Sequence, residues 1–465
     1  MKIHLIGVCG TAMATLAALL KQKGHDVQGS DQNVYPPMST FLEAERIRTF
    51  SGYHAEHISE DLDLVIVGNA ISRGNVELEM VLDRKVRYCS LPEAIRDHFL
   101  WTARSIVISG THGKTTTTSL TGWLLVHAGS DPSILVGGIA LNLGNGGSSY
   151  RLGRGQDFVI EGDEYDSAYF DKTAKFLKYL PDIAVVNNIE FDHADIYPDL
   201  DAIQLAFRRF VMLVPKSGLT LVGADCPNAS RMKDVACSRA ESFGLASTAD
   251  WQATDVTSGV EGQQFNVVYR GSELGSVVLP LFGLHNVRNA LAAIAVAHAT
   301  GIQWSSIEEG LRQFKGVKRR LEIVGEAGGV TVFDDFAHHP TAIAETLGGL
   351  RAVHPRKRIW AVFEPRSASS SRRVFQQDFA RAFGAADETI IAPVFRTNLP
   401  DAERLSVEQL VSDLTAAGQR ARAAASLDDI VQTIANERQA GDLVVFMSNG
   451  GFGGIHQKML QALSA

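Results

Sequence analysis

The segment Gly110-Thr111-His112-Gly113-Lys114-Thr115-Thr116 combines the residue types that hold phosphate. It follows an apolar run, Ser105–Ser109, and opens a helical stretch that continues to about His127. In that setting glycines let backbone N–H groups turn inward around phosphate oxygens, and the helix N-terminus adds a partial positive charge. Gly110, Thr111, His112 and Gly113 form the turn, Lys114 reaches the β- and γ-phosphates of a nucleotide, and a hydroxyl of Thr115 or Thr116 ligates Mg²⁺. The loop is short. The usual form has about four residues between its first glycine and the Gly-Lys pair, whereas here only Thr111 and His112 intervene.

A loop that holds a triphosphate for chemistry needs metal ligands on neighbouring strands. Glu161-Gly162-Asp163-Glu164-Tyr165-Asp166 follows the apolar run Phe158–Ile160, and Asn187-Asn188-Ile189-Glu190-Phe191-Asp192-His193 follows Ile183–Val186. Open α/β sheets bind ligands beyond the carboxyl ends of their strands. Mg²⁺ prefers oxygen and keeps several waters. One carboxylate of these segments, a threonine hydroxyl and phosphate oxygens therefore suffice, with His193 a direct or outer ligand. Taken alone, the acidic segment also fits a solvated turn, and His193 a structural histidine.

Gly7-Val8-Cys9-Gly10, after the strand-like Ile3–Ile6, resembles a dinucleotide turn, but the G-x-G-x-x-G pattern is broken at Cys9 and Ala12. Asp31 has the type and position to accept ribose hydroxyls. This turn leaves a nicotinamide enzyme open, although such an enzyme would have no use for Lys114. A nucleotide switch without amide chemistry also stays open. Asn289, in the run Gly283–Asn289 that opens an alanine-rich helix, fits either a helix cap or a nucleotide contact. Lys318-Arg319-Arg320 is a short basic run of the kind that ordinarily forms a solvated face; Arg320 is assigned to the nucleotide. Asp335 and His338 lie in a strand-to-helix turn after Val330–Phe333, with Asp335 suited to a ribose. Arg366, Asn449 and His456 lie past later strands, Ile359–Phe363 and Leu443–Met447.

Three strand–turn–helix openings must position these groups. Short β-branched runs alternating with helical stretches read as parallel α/β sheets. The expected fold is α/β in three domains: a Rossmann-like domain over 1–102, a central P-loop ATPase-type α/β domain over 103–316 with a hairpin near Gly271–Pro280, and a Rossmann-like domain over 317–465. The 465 residues are too many for one core. With 45% hydrophobic and 21% charged residues, the chain is neither disordered, collagen-like nor a coiled coil. The formal charge of −8, from 44 basic and 52 acidic side chains, disfavours a nucleic-acid partner. Cys9, Cys89, Cys226 and Cys237 have no metal or redox spacing and fit free thiols in a reducing cytoplasm. No apolar stretch has the length of a membrane span, and no signal peptide is visible. A cytoplasmic monomer or weak homo-oligomer is expected.

In their order and identity these motifs resemble the Mur ligase family, the ATP-dependent amide-forming enzymes of cell-wall precursor synthesis. The resemblance rests on Gly110–Thr116, Glu161–Asp166, Asn188–His193, Gly283–Asn289 and Asp334-Asp335-Phe336-Ala337-His338-His339-Pro340, and it spans essentially the whole chain. Further features are Gly7–Thr11, Asn33–Thr40, Gly68–Asn75, Glu364–Ser367 and Met447–Gln457. They are most similar to the branch that joins the intact tripeptide L-Ala-γ-D-Glu-meso-diaminopimelate to UDP-N-acetylmuramate in peptidoglycan recycling. The alanine-adding branch is the alternative. The resemblance implies ATP and Mg²⁺ as cofactors and an acyl phosphate intermediate. Lys114 would hold the γ-phosphate, Thr115, Glu161 and His193 the metal, and Asn289 the adenine, while Asp335 and His338 would close on the nucleotide. Gly7, Gly10, Asp31 and Asn69 would hold the sugar nucleotide, and Arg366, Asn449 and His456 the peptide. The catalytic candidates are Lys114, His193 and His338; the general base stays open. One departure stands out. Several family members carry a carbamylated lysine some fifteen residues past the equivalent of His193, but no lysine lies between Lys178 and Lys216 here, where Arg208 and Arg209 occur. Any second Mg²⁺ would need other ligands.

Overall fold

The computed structural model describes residues 1–396 and 399–464. The chain divides into two compact units. The first comprises Met1–Ile189, Asp201–Phe243 and Ala292–Ile307; the second comprises Glu190–Leu200, Gly244–Leu291 and Glu308–Ala465.

The first unit begins with a five-stranded sheet in the order Arg48–Ser51, Asp26–Asp31, Lys2–Ile6, Leu64–Val67, Tyr88–Ser90. All its pairings are parallel. The chain starts in the middle strand and builds outward to both sides, so the strand order reverses at Lys2–Ile6, and the turn after Ile6 opens at that switch point. A second sheet carries the strand Arg104–Ser109 between Ile183–Val186 and Asp157–Glu161, parallel to both. Ile106, Val107 and Ile108 are fully buried. A strand covered on both faces reads as a continuous apolar run, and each such side chain contributes roughly 1.5–3 kcal/mol by leaving water. Leu219–Gly223 and Arg239–Gly244 extend this sheet on one side, and Ser133–Ala140 on the other, next to Asp157–Glu161. The loops after Ser109, Glu161 and Val186 therefore emerge side by side.

In the second unit, Trp251–Gly259, Gly262–Tyr269 and Ser272–Leu279 form an antiparallel meander. Its last turn, Arg270-Gly271, has both φ values positive (48° and 80°), as a tight two-residue hairpin connection requires. The stretch near Gly271–Pro280 expected as a hairpin is mainly the last strand of this three-stranded ribbon, Ser272–Leu279, and the tight turn lies at its start. The other sheet has six strands in the order Glu322–Ala327, Val330–Asp335, Leu443–Met447, Ile359–Phe363, Glu388–Ile391, Arg420–Ala423, with only the first pairing antiparallel. Alternation along its strands feeds two cores. Ile359, Ala361 and Phe363 face the side covered by the helices Pro340–Val353, Gln376–Ala382 and Val407–Ala416. Trp360 and Val362 face the side covered by Leu427–Glu437 and Ile455–Ser464. This period of two, with helices on both faces, is the doubly wound arrangement. No helix among the described residues is long and apolar enough to cross a membrane.

Candidate active site

Within the first unit, the loop after Ser109 runs through two glycines with positive φ, Gly110 at 134° and Gly113 at 79°, into the helix Lys114–His127. At Gly110 a Cβ would lie 2.9 Å from the Asn187 Cβ and 3.0 Å from the Asn188 nitrogen, so no side chain fits there. The short loop is held from the neighbouring strand. The Asn188 carbonyl accepts the Thr111 N–H at 3.0 Å, and Asn188 Oδ1 accepts the His112 N–H at 2.7 Å. Asn187 Nδ2 and Asn188 Nδ2 both donate to the His112 carbonyl at 3.3 Å, and Asn187 Nδ2 also donates to Thr117 Oγ1 at 3.1 Å. Thr111 and His112 are thus braced by asparagines, next to the Gly113–Thr116 turn at the positive end of the helix, the kind of end that suits an anion. Neither asparagine was singled out from the sequence.

Lys114 Nζ donates to the Gly110 carbonyl at 2.7 Å and pairs with both carboxylate oxygens of Glu164, at 3.0 and 2.9 Å. Burial alone would lower the pKa of this ammonium, but Glu164, Asp163 and Glu161 outweigh it and hold the pKa above the ordinary lysine value. Thr115 Oγ1 donates to Glu161 Oε1 at 3.0 Å, and the Gly137 N–H donates to Glu161 Oε2 at 2.8 Å. Thr115 and Glu161, predicted together as metal ligands, are thus in contact. A hydroxyl and a carboxylate are the hard oxygen donors that Mg²⁺ selects. Thr116 is buried in the same first turn.

At the switch point of the first sheet, Gly7 (φ 86°) and Val8 donate N–H bonds to the Ser30 carbonyl at 2.8 and 3.0 Å, and Gly10 caps the helix Thr11–Gln22. Asp31 organises this turn: Oδ2 accepts the Cys9 N–H at 2.9 Å and Oδ1 the Asn33 N–H at 3.2 Å. Burial, then the Asp31 charge, push the Cys9 thiol up to about 11, so it stays protonated near neutrality. Asn69 follows the adjacent strand Leu64–Val67 and donates to Asp166 Oδ1 at 3.1 Å.

In the second unit, His193 has a left-handed backbone (φ 54°), and its N–H donates to Asp192 Oδ1 at 2.7 Å and Ser369 Oγ at 2.9 Å. Burial would raise the Asp192 pKa, but His193, His338 and His339 hold it far below the usual carboxylate range. The site thus gathers His193 and His338 about one carboxylate and adds His339, which the sequence left unassigned. His339 accepts the Thr341 N–H at Nδ1 (3.3 Å) and donates from Nε2 to the Phe191 carbonyl at 3.2 Å, while His338 Nδ1 donates to the Phe336 carbonyl at 3.0 Å. A carbonyl can only accept, which assigns the proton-bearing nitrogens.

Asp335, expected to face a ribose, accepts the Leu321 N–H at 2.6 Å and the Ala337 N–H at 2.7 Å. Burial holds its carboxyl above the usual range despite the opposing charge of Arg320. Arg320 lies 4.9 Å from the Phe336 ring centre, and Asn289 is buried, donating to Asn286 Oδ1 at 3.1 Å. Beyond the strand ends is a cavity of about 740 Å³ lined by Glu364, Arg366, Phe395, Leu427 and the glycines Gly451, Gly453 and Gly454, among others. The Arg366 guanidinium lies 3.7 Å from the Phe395 ring centre and 3.6 Å from Glu364 Oε1. Asn449 and His456 are not among the residues lining it. His456 instead faces Asp334 Oδ1 at 3.3 Å, beside Arg319, which ties Asp334 to the Ser448 and Gly450 carbonyls.

Residues 2–100 match the model for the Mur ligase family catalytic domain, 108–297 the Mur ligase middle domain, and 319–450 the Mur ligase glutamate ligase domain. The chain is 43% identical to the UDP-N-acetylmuramate–L-alanyl-γ-D-glutamyl-meso-2,6-diaminoheptandioate ligase of Haemophilus influenzae, covering 99% of each chain. It is 34% identical to the UDP-N-acetylmuramate–L-alanine ligase of Caldanaerobacter subterraneus, covering 99% of this chain and 97% of the other. The crystal structure of a murein peptide ligase from Psychrobacter arcticus superposes with a TM-score of 0.73 at 38% identity, covering 100% of this chain and 99% of that one. With models matched in order along nearly its full length, this chain belongs to the Mur ligase family.

Proposed function

We propose that the protein is an ATP-dependent, ADP-forming ligase that joins the amino end of L-Ala-γ-D-Glu-meso-diaminopimelate to the carboxylate of UDP-N-acetylmuramate. The observation that carries this reading is the braced loop in which Lys114 and the Thr115–Glu161 pair meet. It is supported by the higher identity to a tripeptide-adding relative, 43%, than to an alanine-adding one, 34%.

A carboxylate does not condense with an amine at neutral pH, because oxide is too poor a leaving group. In the proposed sequence a muramate carboxylate oxygen attacks the γ-phosphorus, the bond to the bridging oxygen breaks, and ADP departs. The peptide amine then attacks the acyl carbon, phosphate leaves, and the nitrogen loses its proton. Such chemistry depends mainly on positioning and charge neutralisation. Lys114 offsets charge on the transferring group. Thr115 and Glu161 would hold Mg²⁺, with His193 proposed as a further ligand, and the ion would neutralise phosphate charge when bound. Asn289, Arg320, Asp335 and His338 are proposed to meet the nucleotide. Gly7, Gly10, Asp31 and Asn69, within 1–102, are assigned to the sugar nucleotide; 103–316 is assigned to ATP and 317–465 to the peptide. Arg366 and Glu364 offer the peptide's carboxylates and ammonium groups opposite charges in a cavity whose other lining is mostly apolar. Asn449 and His456 are assigned to the peptide as well, although neither lines this cavity.

The deciding assay supplies ATP, Mg²⁺ and UDP-N-acetylmuramate with either the tripeptide or L-alanine, and weighs the product by mass spectrometry. The tripeptide adduct should form with one ADP per bond. A kcat/KM for L-alanine equal to or above that for tripeptide overturns the reading in favour of the alanine-adding branch. Arg366→Ala should raise the KM for tripeptide by about tenfold or more, the value of a charge-assisted hydrogen bond, and leave the KM for ATP unchanged. Asn188→Ala should do the reverse, raising the KM for ATP by about tenfold because the loop backbone loses its brace; initial rates with each substrate varied in turn distinguish the two.

A further inference from the structure

Lys114 is not a bare cation in the loop: its ammonium is partnered within the chain. Its ammonium has three N–H groups. One is directed to the Gly110 carbonyl at 2.7 Å, and the Glu164 carboxylate approaches with both oxygens at 3.0 and 2.9 Å. The pair is withdrawn from water: the Glu164 side chain is 2% exposed and that of Lys114 11%. At such burial solvent screens the attraction weakly, and a second anion approaching the lysine competes directly with the carboxylate. A triphosphate reaching this loop also meets the negative charge of Glu164 itself.

We propose that Glu164 is a positioning residue that competes with the nucleotide phosphates for Lys114, so that it holds the lysine in place between turnovers and speeds the departure of ADP. On entry the phosphates draw the ammonium from the carboxylate. After the γ-phosphoryl group has left with the acid, ADP offers fewer phosphate oxygens, and Glu164 recaptures the lysine. The carboxylate thus weakens nucleotide binding while keeping the side chain ordered in the loop. This rests on the assignment of the loop as the triphosphate site.

The distinguishing variant is E164Q in the full chain, which keeps the shape and removes the charge. Titration calorimetry with Mg-ADP should show binding about tenfold tighter than in the parent, with ADP dissociation in stopped flow slowed to match. A structural defect would weaken binding instead. The gain should disappear when E164Q is compared with its parent in a Lys114→Met background, because the competition acts through that ammonium. Unchanged or weaker ADP binding by a folded E164Q, or a gain that persists without Lys114, overturns the proposal. Should E164Q fail to fold, E164D retracts the carboxylate by one methylene and should tighten ADP binding to a smaller extent; no tightening overturns it equally. Failure of the underlying site assignment looks different: the parent does not bind Mg-ADP, or the Lys114→Met variant binds it as well as the parent.

Discussion

Lys114→Met lowers kcat/KM for ligation by at least about 10³-fold, roughly 4 kcal/mol of transition-state stabilisation. The expectation follows from where charge moves. As the γ-phosphoryl group transfers, negative charge shifts over its oxygens, and Lys114 is the ammonium proposed to offset it. Burial strengthens the effect, because a buried donor works in a medium of lower effective dielectric than water. The variant also leaves Glu164 buried and without its ammonium partner, so some loss of stability accompanies the loss of rate. Pairing the change with E164Q removes both charges, and a neutral pair of similar size restores stability without restoring turnover. Coupled ADP release together with thermal melts of the single and double variants checks this. Near-parental turnover in either variant would remove Lys114 from the chemistry.

Glu77→Ala destabilises the first sheet by about 3–5 kcal/mol, the usual cost of taking one partner from a buried charged network. Glu77 and His4 are both fully buried. Glu77 Oε1 accepts from His57 Nδ1 at 2.6 Å and the His54 N–H at 3.2 Å; Oε2 accepts from Ser30 Oγ and lies 3.2 Å from His4 Nε2. Ser30 in turn supplies the carbonyl that holds Gly7 and Val8, so the network lies beneath the turn assigned to the sugar nucleotide. Burial pushes the Glu77 carboxyl up, but the hydrogen bonds from His4, Ser30 and His57 outweigh it and hold the carboxyl below its ordinary value of 4.5. Its contribution is therefore complete above that value and is lost as pH falls through the lower folded value. Hydrogen exchange of Lys2–Ile6 and Asp26–Asp31 should show the loss in Glu77→Ala at neutral pH. In Glu77→Gln the acid-dependent part should vanish.

The difference between what was legible and what was not shows in neighbouring residues. The strand–turn–helix form of Gly110–Thr116 could be read because it is local: strand, glycines, lysine and hydroxyl follow one another along the chain. That the acidic segment after Ile160 lies next to that loop could be read because it follows an apolar strand, whereas only the family resemblance singles out Glu161 within it. Glu164, three residues on, could not be told apart from Asp163 or Asp166. Past a strand end no periodicity says which carboxylate turns inward. Nor could the sequence show the partners of Asp335 and His456: Asp335 holds backbone N–H groups and His456 faces Asp334.

By itself the sequence determined the α/β class, the strand–glycine–helix order of Gly110–Thr116 and the family, because each of these is written in short-range spacing and residue identity. Tertiary structure alone decided which acid holds Lys114, which asparagines brace a shortened loop, and which histidines surround Asp192. Those partnerships join residues such as Lys114 and Glu164, 50 positions apart, and Thr111 and His112 with Asn188 across adjacent strands. Side-chain direction in a loop follows from backbone dihedrals and burial, and these are set only when distant strands pair.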